Sequence, residues 1–64
     1  MLNQYFISAV TEAENRYLVR LENKKDKSEK IDLGGNFTTW EEADLMARLI
    51  HSREILNVEY VSMR

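Results

Sequence analysis

The chain has no cysteine, no proline, a single histidine and only two glycines, which stand side by side. Without cysteine there is no disulfide or thiolate metal site to strengthen a small core, and a reducing cytoplasm is the expected compartment. With one histidine and no thiol, the common nucleophile–base pairs have few candidates, so no enzyme is expected. No cofactor or metal is indicated. Glu41, Glu42 and Asp44 gather at what reads as a helix start, where the helix dipole accounts for them, and no histidine stands at ligand spacing. His51 reads as a partly exposed helical histidine. Gly34-Gly35 lacks the downstream Lys-Ser/Thr of a phosphate loop. No run approaches the roughly 18 apolar residues of a membrane span, so no membrane partner is expected. The N-terminal MLNQYFISAVTEA has no basic start and is broken by Ser8, Thr11 and Glu12, unlike a signal peptide.

What is there amounts to one small domain, residues 1–64, without repeats or linkers. A chain of this size buries only about 60% of its unfolded surface, so tight packing, oligomerisation or a partner has to add stability. A hydrophobic share of 44% argues against disorder. The net charge of −2 hides an uneven distribution. Residues 16–30 hold six basic groups (Arg16, Arg20, Lys24, Lys25, Lys27, Lys30) and three acidic ones, a balance of +3; the remainder holds three basic and eight acidic groups, a balance of −5. Mixed charge of this density at a hairpin reads first as solvation.

Two strand patterns open the chain. YFISAV, Tyr5 to Val10, is apolar on both faces and reads as a central strand. RYLVRLE, Arg16 to Glu22, alternates, with Tyr17, Val19 and Leu21 on one face. A polar turn over NKKDKS leads to a third strand, Glu29 to Leu33, with Ile31 and Leu33 turned inward and Gly34-Gly35 as a sharp exit. The one strong helix follows. Thr39 fits the N-cap and Glu42 completes a Thr-x-x-Glu capping box. Trp40, Ala43, Met46, Ala47 and Ile50 form its apolar stripe, which Leu45 and Leu49 widen on one side beyond what a single sheet face covers. NVEYVSM, Asn57 to Met63, reads as a last strand beside the first. The expected fold is α+β, β-β-β-α-β, with a three- to four-stranded antiparallel-type sheet and one helix across a face.

Two surfaces remain for function. One is the outer sheet face with Arg16, Leu18, Arg20, Glu22, Lys30 and Asp32; the other is the helix flank with Leu45, Leu49 and Met46, unless Ile55 and Leu56 fold over it. The run Lys30-Ile31-Asp32-Leu33-Gly34, then Phe37-x-Thr39-x-Glu41-Glu42-Ala43, resembles the AP2-type DNA-binding module and the arm-binding domains of tyrosine integrases over residues 16–50. That resemblance implies a sheet inserted into the major groove, with Arg20, Glu22 and Lys30 facing DNA. Asp32 stands where that family places an aromatic contact, and the first strand lacks its arginines. The strand–strand–helix–strand order is also similar to small phage proteins that inhibit host enzymes, which implies a phage or mobile-element setting.

The leading expectation is a non-enzymatic regulatory or interaction module. It would act by protein–protein contacts, with a partner or as a homodimer, through Leu45, Leu49 and Met46. The alternative is DNA binding through Arg16, Arg20, Lys24, Lys25, Lys27 and Lys30. Counterion release favours that alternative little in a net-negative chain.

Overall fold

The alternating apolar pattern of the first half and the helical period of the second give four strands and one helix among the described residues. The computed structural model describes residues 4–54 and 57–62. The elements run β1 (Tyr5–Ala13), β2 (Arg16–Asn23), β3 (Lys30–Phe37), α1 (Trp40–Ser52) and β4 (Glu59–Tyr60). They form one sheet in the order β3-β2-β1-β4. The first three strands are an antiparallel meander, and β4 lies parallel to β1, so the sheet is mixed. A parallel partner needs a crossover, and α1 supplies it by carrying the chain from the β3 edge to the β4 edge. The fold is therefore α+β with the expected element order, and β1 is central, as its two apolar faces require.

Alternation decides the core. Ile7 and Ala9 of β1, Val19 and Leu21 of β2, Ala43 and Ala47 of α1, and Val58 form one buried cluster. Tyr5, Tyr17, Phe37, Trp40, Ile50 and Tyr60 close its margins. The two alanines let the helix axis lie close to the sheet. The opposite face carries Ser8 and Leu18, both buried outside that cluster. Among the described residues the Ser8 hydroxyl has no hydrogen-bond partner.

The structure corrects several details of the sequence reading. Gly34-Gly35 is not an exit from a strand. Both glycines lie inside β3, which runs on to Phe37 because β2 still offers Tyr17 to Val19 as a ladder. The pairing Arg20↔Asp32 followed by Val19↔Gly34 leaves Leu33 as an extra residue, and Leu18↔Gly35 followed by Tyr17↔Phe37 leaves Asn36 as another. Each is a bulge in the edge strand. Gly34 at φ +153° and Asn36 at φ +75° take the backbone angles these bulges impose. A Cβ on Gly35 would stand 2.9 Å from the Leu18 Cβ, so only glycine fits there.

Ile31 and Leu33 do turn toward the helix side, but they stay 46% and 38% exposed. The helix packs mainly on β1 and β2 and leaves β3 largely bare. Asp44, assigned above to the helix dipole, is 5% exposed. The last strand is shorter than expected, two residues instead of seven; Met63 lies outside the described residues.

Helix α1 starts as its sequence dictates. Thr39, extended at φ −129° and ψ 150°, accepts at its hydroxyl from the Glu42 amide at 3.3 Å. The Glu42 carboxylate accepts from the Thr39 amide at 3.3 Å, closing the box. The chain leaves the helix through Glu54 at φ +53°, whose amide donates to the His51 carbonyl at 3.1 Å.

Candidate functional site

Both candidate surfaces follow from where α1 lands. The basic set does not come together. Arg16 and the Lys24–Lys27 tip stand at opposite ends of β2, whose eight residues span about 26 Å at strand rise. Arg20 donates from Nε to Asp32 Oδ1 at 2.7 Å, Lys24 Nζ lies 2.7 Å from Glu59 Oε2, and Arg16 lies 3.8 Å from Glu12. Three of the six cations are thus paired with acids. Lys25, Lys27 and Lys30 carry no ion pair among the described residues, and Lys30 faces Glu22 across the β2–β3 ladder.

The turn holding Lys25 and Lys27 is built by its polar side chains. Asn23 Oδ1 accepts from the Lys25 and Asp26 amides at 2.8 and 2.9 Å. Asp26 Oδ1 accepts from the Ser28 hydroxyl and amide at 2.6 and 3.0 Å, bonds that hold its carboxyl below the usual range. The Tyr5 hydroxyl donates to Glu29 at 2.9 Å, and that bond raises its pKa.

The apolar side of the molecule is continuous. Leu33, Gly34, Gly35, Phe37 and Val19 share one open depression with Met46 and Ile50, about 280 Å³ in volume. Met46 and Ile50 share a second one, about 290 Å³, with Leu49 and Arg53. Leu45 lies one turn before Leu49. At 100° per residue it projects opposite the midpoint of Ala43 and Ala47, straight away from the sheet. Exposures are 54% for Leu45, 40% for Met46 and 41% for Leu49. Of the three helix residues named from the sequence, Met46 and Leu49 therefore share one surface that continues onto Leu33 of β3, and Leu45 stands exposed beside it, one turn before Leu49. Sequence reasoning missed that continuation because Leu33 was paired by simple alternation, and a bulge in β3 leaves no mark in the alternation of its partner strand. Ile55 and Leu56, the candidate cover for the flank, lie outside the described residues.

On the other side of α1 a polar cluster fastens β4. The Tyr60 hydroxyl donates to Asp44 Oδ1, and Arg48 Nε sits 3.1 Å from Asp44 Oδ2. Burial and then the Asp44 carboxylate push the Tyr60 pKa up. The His51 ring stands 6.2 Å from that of Tyr60. This set fills the valences of a buried acid. Among the described residues no three His, Cys, Asp or Glu side chains gather as a metal site, and no helix is long and apolar enough to cross a membrane. Comparison with family models, curated proteins and solved structures finds no match for this chain.

Proposed function

We propose that the chain is a small interaction module that acts through protein–protein contacts and carries no catalysis of its own. One observation supports this most: Leu33, Met46 and Leu49 line two adjoining apolar depressions from β3 over the helix, with Leu45 exposed one turn before Leu49, in a domain with little core to spare. Contiguous exposed apolar surface of this kind marks association sites. The pairing of Arg16, Arg20 and Lys24 with acids supports the same reading over DNA binding, because a cation already neutralised releases few counterions.

The test is Leu45→Glu combined with Leu49→Glu. Both side chains are exposed, so the variant should keep the wild-type circular dichroism and melting curve. Immobilised wild type should retain a stoichiometric protein from its native lysate, and the double variant should lose it. A wild type that retains no such protein, or a double variant that retains it equally well, would sink this reading.

A further inference from the structure

We infer that the partner includes a second copy of this chain, seated edge to edge on β3 around a two-fold axis at Ile31. This goes beyond the proposed role of the helix flank and concerns a separate surface. Strand β3 is an edge of the sheet. Its bulges at Leu33 and Asn36 break regular pairing beyond Asp32, so the straight part of that edge is Lys30, Ile31 and Asp32.

Hydrogen-bond parity says which backbone groups are open there. The Asn23 amide donates to the Glu29 carbonyl at 3.1 Å, so Asn23 and Glu29 form a hydrogen-bonded pair. Alternation then turns the amide and carbonyl of Ile31 toward Leu21, and those of Lys30 and Asp32 out to the open edge. The far side of the sheet agrees: the Ile7 carbonyl accepts from Val61 at 3.0 Å, which turns Ile7 away from Leu21.

Only one symmetric register suits these groups. An antiparallel pair centred on Lys30 sets lysine on lysine, and one centred on Asp32 sets aspartate on aspartate. Centring on Ile31 brings Lys30 opposite Asp32 of the second copy, and Asp32 opposite its Lys30. The four open backbone groups of each copy then make four hydrogen bonds across the axis. On the outer face the order across the sheet becomes Glu22, Lys30, then Asp32 and Arg20 of the second copy, with signs alternating throughout. Asp32 has already given Oδ1 to Arg20, which leaves Oδ2 for the incoming lysine. On the inner face Ile31, 46% exposed in the single chain, meets Ile31 of the second copy. Isologous pairing of this kind closes after two chains. Leu45 and Leu49 sit on the helix, away from this edge, so the two surfaces are tested separately.

Charge reversal is the experiment. The wild type should sediment as a monomer–dimer equilibrium as concentration rises toward about 1 mM. Lys30→Asp and Asp32→Lys should each weaken self-association by about tenfold, because each sets like charges opposite one another at two places. An equimolar mixture of the two variants should restore the dimer, which also establishes that both are folded. A second measurement uses the absence of cysteine. In a non-hydrogen-bonded antiparallel pair the Cα atoms are about 4.5 Å apart, within disulfide range. Oxidised Ile31→Cys should therefore form a covalent dimer, and Leu33→Cys should form far less. A wild type that stays monomeric, a mixture that fails to recover, or equal cross-linking by both cysteine variants would overturn the edge pairing. Loss of association in the Leu45/Leu49 variant alone would overturn it too, while leaving the broader interaction role in place.

Discussion

At the scale of single residues, β3 hangs on a steric contact. Leu18 is 3% exposed, and its Cβ would lie 2.9 Å from any Cβ placed on Gly35. The colliding atom is fixed to the β2 backbone and cannot swing aside as a side-chain tip can. Gly35→Ala should therefore push the two strands apart at the second bulge and cost about 1–3 kcal/mol, read as a lower urea midpoint. The glycine pair was visible in the sequence, but its purpose was not. Two adjacent glycines fit a turn and a bulged edge strand equally well, and the choice depends on whether a neighbouring strand continues beside them. Asp44 was hidden for a similar reason. An acid close behind Glu41 and Glu42 reads as one more exposed dipole partner, but Asp44 lies past the first turn, and the landing of Tyr60 beside it makes it a buried anchor.

At the scale of elements, helix α1 was the most legible part of the chain, since its cap is a local motif needing no tertiary partner. Thr39, Glu42 and the Ala43/Ala47 spacing stand as the sequence implied. Strand existence was equally clear, whereas strand ends and bulges were not, because alternation within one strand says nothing about register with the next. The cap also sets an acid response. The Thr38 hydroxyl, then that of Thr39, lower the Glu42 pKa from its ordinary value. A carboxyl with a depressed folded pKa adds stability that is full above the unfolded value, about 4.3, and is lost as pH falls through the lower folded value. Glu42→Gln keeps the capping geometry but cannot titrate. Thermal melts between pH 7 and pH 2 should show the variant less stable at neutral pH and its acid decline shallower. A parallel acid limb in both proteins would mean that the box contributes no charge-dependent stability.

At the scale of the whole molecule, one helix cannot cover four strands, and its placement decides what each edge is for. Helix α1 lies on β1 and β2, its Asp44 side is tied to β4, and its Met46 side opens onto β3. The sequence announced that asymmetry in one respect: Leu45 and Leu49 made the apolar arc wider than a single sheet face needs. It could not say that β3 would share the bare side, since that depends on where the crossover lands. Strand β4 is fastened at its edge of the sheet by the Tyr60–Asp44–Arg48 set, by Lys24 with Glu59, and by Val58 in the core. Closure of that edge should carry an alkaline signature. Burial and the neighbouring Asp44 raise the Tyr60 pKa, so the folded state holds the phenolic proton more tightly than the unfolded chain does. That contribution is fully present below the unfolded value of about 10 and is lost as pH rises through the higher folded value. Tyr5 on β1, raised by its bond to Glu29 just before β3, adds a slope of the same sign. Melting temperatures measured from pH 8 to pH 11.5 should therefore fall more steeply in the wild type than in Tyr60→Phe. Tyr5→Phe should flatten the same limb, and the double variant should flatten it most. If β4 is fastened through Tyr60, amide exchange at Val61, which donates to Ile7, should quicken in Tyr60→Phe while the β2–β3 ladder keeps its protection. Equal protection at Val61 in both proteins would assign the closing of that edge to Val58 and Lys24 instead.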